Sequence, residues 1–118
     1  MKIRIKSNSL RYRLTRSDVA KLAAEGYLED KVNFGERSLV YVIKLADDNR
    51  LSASFSGDTI ALAISKNMIS ELENTDRIGF DDVVDGLQLL VEKDFTCLDN
   101  VDEDQSDNYP NPLLSKNV

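Results

Sequence analysis

The chain reads as an α+β domain: a mostly antiparallel, curved or partly closed β-sheet of about six to eight strands, with two short helices. Three observations carry that reading. Apolar and polar residues alternate in segment after segment, which is the period of a half-buried strand. Only two stretches abandon that alternation for helical spacing. The segments are separated by short turns rich in Gly, Asp and Asn, which close hairpins.

Residues 2–6 put Ile3 and Ile5 on one face and Lys2, Arg4 and Lys6 on the other. Residues 10–14 alternate again, Leu10, Tyr12 and Leu14 against Arg11 and Arg13. The apolar phase shifts by one position across Ser7-Asn8-Ser9, so a tight hairpin or a kinked strand is needed there. Thr15 is a candidate N-cap with Asp18 at capping-box spacing. Val19, Leu22 and Ala23 form the buried stripe of the helix, and Gly26 stands where a left-handed residue ends it. Tyr27–Phe34, Ser38–Leu45, Leu51–Phe55 and Thr59–Ser65 then read as strands, joined as an antiparallel meander because the connections are short. A second helix is expected from about Asn67 to Glu73. Residues 77–84 fit a strand or a short helical turn, and Leu87–Thr96 is the last strand. No internal repeat and no linker is legible. The domain is expected to span residues 1–112, with 113–118 frayed.

Composition narrows the chemistry. With 118 residues, 42% hydrophobic and 31% charged, the chain can bury one core without disulfides or metal. There is no His, so no Ser-His-Asp or Cys-His system and no His-ligated metal. A single Cys, Cys97, excludes an internal disulfide and fits a reducing compartment. The five glycines are too scattered for a phosphate loop. No cofactor is expected. No apolar run is long enough to span a bilayer, and charges occupy the first residues where a signal peptide is apolar. A cytoplasmic protein is expected, with no membrane partner. The net charge of −6 argues against nucleic acid.

Several groups are candidate sites. The first sixteen residues hold six cations and no acid. Arg4, Arg11 and Arg13 on one strand face offer bidentate grip on a phosphate or carboxylate; the bland reading is a solvated face or a partner for the chain's own acids. Glu92 and Asp94 share a strand face and could hold a proton or metal between them; the bland reading is a charged edge strand. Pairing of Arg11 or Arg13 with Asp94 or Asp104 would close the domain. The acidic loop Asp99–Asp107 lacks the Gly and Glu of a calcium loop, so no metal is expected there. Cys97 reads as a small core residue. Tyr109, set between Asn108 and Pro110, either plugs the sheet end or presents an aromatic to a partner.

The two ends carry a resemblance. MKIRIK-SNS-LRYRLT-RSDVAKLAAEG and VEKDFTCL…EDQSDNYPNP resemble a family of small bacterial proteins known as a domain of unknown function. The resemblance implies a bacterial, cytoplasmic single-domain protein. It marks Lys93-Asp94-Phe95, Cys97-Leu98 and Asn108–Pro112 as family features, and it implies no activity.

Two functional expectations follow. One is a non-enzymatic binding or protein-interaction module, with a protein partner or self-association. The alternative is a small enzyme or ligand-binding protein for an anionic or phosphorylated compound, using the Arg face and the carboxylates. The direction in which Arg4, Arg11 and Arg13 point separates them.

Overall fold

The computed structural model describes residues 1–95 and 106–110. In chain order the elements are β1 (Lys2–Lys6), β2 (Ser9–Leu14), α1 (Arg16–Glu25), β3 (Tyr27–Asn33), β4 (Ser38–Ala46), β5 (Ser52–Ser56), β6 (Thr59–Ser65), α2 (Lys66–Asn74), β7 (Gly79–Val84) and β8 (Leu87–Lys93). The α+β class holds, with most strand pairs antiparallel, but the strands divide into two open sheets. Sheet A has the order β1-β2-β8-β7 and sheet B the order β3-β4-β6-β5.

Local chemistry sets the elements. The phase shift at Ser7-Asn8 is a tight hairpin, with Ser7 at φ 49°. Thr15 caps α1 through a full capping box: its hydroxyl accepts from the Asp18 N–H, and Asp18 accepts from the Thr15 N–H at 2.9 Å. Gly26 ends the helix at φ 78°, a conformation that favours glycine. Residues 79–84 form a strand, and the Asp85-Gly86 turn, with φ 53° and 81°, returns it directly into β8.

The expected meander is corrected in one respect. β4 pairs with β6 in parallel, and β5 lies outside β6 at the sheet edge. The connection after Ala46 passes over one strand position, roughly 10 Å, which five extended residues span easily. Likewise β2 pairs with β8 in parallel, so both sheets are parallel at the centre and antiparallel at the flanks.

A repeat that the sequence does not display governs this layout. Both halves of the chain run hairpin, helix, hairpin, and each sheet takes one hairpin from each half. The first hairpin recurs fifty residues on in identical register: Lys2↔Arg13 becomes Ser52↔Ala63, and Lys6↔Ser9 becomes Ser56↔Thr59. The positive-φ residues Ser7 and Gly57 match, as do the N-caps Thr15 and Ser65. So do the buried pairs Tyr12 and Leu62, Leu14 and Ile64, Val19 and Ile69, Leu22 and Leu72. Even the links between hairpins correspond. The Val40 N–H donates to Asp58 O at 2.9 Å in sheet B, and the Gln88 N–H to Asn8 O at 3.0 Å in sheet A. The fold therefore has a two-fold topology, carried by apolar spacing and cap positions rather than by residue identity.

The core lies between the sheets and under the helices. It gathers Tyr12, Leu14, Leu89 and Val91 from sheet A, Ile43, Leu62 and Ile64 from sheet B, and Val19, Leu22, Ile69 and Leu72 from the helices. Tyr12 is fully buried and its hydroxyl donates to Ile60 O in the opposite sheet at 3.4 Å. Burial pushes its phenol well above the usual range. Gly79 starts β7 under tight constraint, since a Cβ there would lie 2.4 Å from the Val91 carbonyl oxygen. Gly79→Ala should therefore lower stability by about 1–3 kcal/mol. Urea melts will read this as a lower midpoint with unchanged slope.

Candidate interaction face

The outer face of sheet A is built in three rows by its strand register. Lys2, Arg13 and Glu92 form the first; Arg4, Arg11, Leu90 and Asp81 the second; Lys6, Ser9, Gln88 and Val83 the third. All three sequence-predicted arginines stand on this face, so they point outward and not into the core. Arg4 is exposed, and Arg11 and Arg13 are half-buried. Arg4 lies directly opposite Arg11 on the neighbouring strand, an arrangement of like charges that costs stability.

Glu92 answers part of that charge. Its Oε1 lies 3.2 Å from Arg11 Nε and 3.9 Å from Arg13 Nε. Pairs this exposed contribute about 0–1 kcal/mol each. The expected pairing of Arg11 or Arg13 with Asp94 is thus corrected to Glu92. The parallel register sets Arg13 beside Glu92, while Asp94 lies past the end of β8. Arg4 and Lys6 have no carboxylate partner among the described residues. Together with Ser9 and Arg11 they line a hollow of about 110 Å³.

Asp94 serves a different purpose. It is only 4% exposed, and Lys2 Nζ lies 3.0 Å from its Oδ2. That contact is ionic and off the hydrogen-bonding direction, for Oδ2 has no hydrogen bond among the described residues. The backbone of Asp94 is a junction: its N–H donates to Leu14 O at 2.8 Å and its carbonyl accepts from the Tyr109 N–H at 2.9 Å. Glu92 and Asp94 each have their own cation, and among the described residues no cluster of three acidic, Cys or His side chains could hold a metal.

Tyr109 closes the sheet end. It is half-buried, tilts against Phe95 with ring centroids 6.0 Å apart, and packs on the core. Lys93, 6% exposed, lies 4.9 Å from the Tyr109 ring centre and donates from Nζ to Thr75 O at 2.8 Å. It thereby completes the C-terminus of α2, where unpaired carbonyls want a cation. Burial lowers the pKa of its ammonium, partly offset by Asp76. A cavity of about 360 Å³ adjoins it, lined by Arg16, Leu72, Glu73, Asp76 and Tyr109 among others.

Two features escaped the sequence. Asp107, the last acid of the acidic loop, binds the start of α1: its carboxylate accepts from the Ser17 N–H at 3.3 Å and from the Ser17 hydroxyl. No local signal ties it to a helix 90 residues away. The second is a cleft of about 270 Å³ between the sheets, lined by Ile5, Leu10 and Leu87 from sheet A and Ala53, Phe55 and Ile60 from sheet B. Its rim is apolar and open, with Ile5 59% and Phe55 73% exposed. Their matching strand-end positions only acquire meaning once the two-fold is seen. Cys97 and Asp99, Asp102, Glu103 and Asp104 of the acidic loop lie outside the described residues.

Residues 1–113 match the family of unknown function DUF7009. The chain belongs to that family. The match spans both ends that carry the resemblance noted in the sequence, and it assigns the DUF7009 chain no activity. No curated protein and no solved structure matches it significantly. Among the described residues no helix is long and apolar enough to cross a membrane.

The Asp107 anchor has a pH signature. Hydrogen bonds from Ser17 hold its carboxyl below the usual carboxylate range. A depressed folded-state pKa adds stability above the unfolded value, and that stability is lost as pH falls through the folded value. Asp107→Asn should thus melt below the parent at pH 6, and the gap should close as pH falls below about 4. Thermal melts across pH 3–7 check this, with the range set by ordinary carboxylate titration.

Proposed function

We propose that this chain is a non-enzymatic interaction module that binds an acidic segment of a protein partner on the outer face of sheet A, in a bacterial cytoplasm. One observation carries the reading. The hairpin β5–β6 repeats the fold and register of β1–β2, yet Ser52, Ser54, Ser56, Ala61 and Ala63 stand where β1–β2 has Lys2, Arg4, Lys6, Arg11 and Arg13. The hairpin folds with small neutral residues on that face, so hairpin geometry alone does not call for cations there.

Two bland explanations account for less. Charged edge strands do discourage aggregation, but Arg11 and Arg13 lie on β2, which is not an edge. Ion pairing within the domain uses Arg11, Arg13 and Lys2, and leaves Arg4 and Lys6 without a carboxylate among the described residues. A protein of net charge −6 repels acidic partners in general. A locally cationic face therefore selects where such a partner docks, more than how tightly. The single cysteine and the family resemblance support the cytoplasmic and bacterial setting.

A second reading has its own observation. The hollow between Arg4, Lys6, Ser9 and Arg11 is of the size of one phosphate or carboxylate group, which favours a small anion. Catalysis on that anion gains no support, because Glu92 and Asp94 are engaged by Arg11, Arg13 and Lys2.

Labelled oligo-glutamate, titrated by fluorescence anisotropy, tests the proposal. Binding should weaken steeply with salt, and R4E/K6E should weaken it by about tenfold or more. Inorganic phosphate that competes stoichiometrically would favour the small-anion reading. Binding unchanged in R4E/K6E would refute both.

A further inference from the structure

The cationic hollow and the apolar cleft lie on opposite sides of one strand. Arg4 and Lys6 face the hollow, and Ile5 between them borders the cleft. That strand is β1, and it is an edge: among the described residues β2 alone pairs with it. Its free side can be derived from its register. The pair Lys6↔Ser9 encloses a two-residue turn, and such a closing pair exchanges both hydrogen bonds. Lys6, Arg4 and Lys2 therefore turn their backbone groups toward β2. Ile3 and Ile5 turn theirs outward, and no backbone partner meets them among the described residues.

We infer that β1 takes up a strand from the partner protein, and that the strand alternates acidic and apolar side chains. The inference rests on the reading of the basic face as the docking surface. Strand addition supplies affinity through main-chain bonds and specificity through alternate side chains. Period two then decides the chemistry. A residue of the incoming strand beside Arg4 or Lys6 projects onto the outer face, where cross-strand neighbours lie about 5 Å apart. That position wants a carboxylate. The next residue projects to the inner side, beside Ile3 and Ile5 and toward the rim that Phe55 shares. That position wants an apolar group, and the cleft of about 270 Å³ has room for one. The equivalent edge, β5, offers the same apolar rim through Phe55 but carries Ser52, Ser54 and Ser56 on its other face. The charge pattern thus assigns the strand to β1.

Three capped peptides of equal length probe this at neutral pH: Glu and Val in alternation, Glu and Val in two blocks, and oligo-glutamate. The alternating peptide should bind about tenfold tighter than either control. Ile5→Pro removes an outward N–H without touching the bonds to β2, and Phe55→Ser removes the apolar rim. Each should abolish the alternating peptide's advantage while oligo-glutamate still binds, and a cooperative thermal melt shows that the variant is folded. If all three peptides bind alike, and neither variant alters them, strand addition is overturned and the basic-face reading stands. If none binds, both fall.

Discussion

The parallel pairing of β2 with β8 holds the rest of the structure in place. It brings the first strands and the last strand of the chain into one sheet, Leu10 beside Leu89 and Leu14 beside Lys93. Both strands bury most of their inner faces, with Tyr12, Leu14, Leu89 and Val91 fully enclosed. A slip of one residue would turn those side chains outward. The same register that fills the core also sets Arg13 beside Glu92 on the outer face and delivers Asp94 to Leu14 O and Tyr109 N–H. Core packing and surface charge are therefore fixed by one alignment.

Sheet B repeats this arrangement around β4 and β6, which makes it an internal control. Where the two halves agree, the residues serve the fold: apolar positions inside, a hydroxyl at each N-cap, a positive φ at each hairpin tip. Where they differ, the shared topology gives no reason for the difference, and a local one must be sought. The cations of β1–β2 against the serines and alanines of β5–β6 are the largest such departure. Lys93 is another, since Leu45 holds the corresponding place in β4: the Leu45 N–H donates to Gly26 O as the Lys93 N–H does to Ile78 O. That departure has a local cause, because Lys93 serves the C-terminus of α2. On the outer face Lys2, Arg11 and Arg13 meet carboxylates of the domain, but Arg4 and Lys6 meet none among the described residues, and Arg4 opposite Arg11 carries a cost. A surface that gives up stability for recognition has this character.

Much of this was legible in the residues. Alternation located nearly every strand, and Thr15, Asp18 and Gly26 marked the first helix because caps are local chemistry. Strand order was not legible. A short connection can skip one strand position, so β4 with β6 and β2 with β8 depend on packing partners that no local pattern names. The repeat stayed hidden because Tyr12 and Leu62, or Arg11 and Ala61, share a position without sharing chemistry. The arginine face was found, since like residues at period two show directly. Its partner is not legible, because Glu92 and Asp94 lie on the same nominal face, and only the end of β8 decides which one meets Arg11.

The central claim is that the cations of the outer face serve recognition and not the fold. Exchanging Arg4, Lys6 and Arg11 for their counterparts in the other hairpin, as R4S/K6S/R11A, tests it in one protein with two readouts. The account predicts a melting temperature equal to the parent or higher, as relief of like-charge repulsion offsets the weakened Glu92 pair, together with loss of oligo-glutamate binding. A fall in stability of more than about 2 kcal/mol with binding retained would contradict it and return the cations to the architecture.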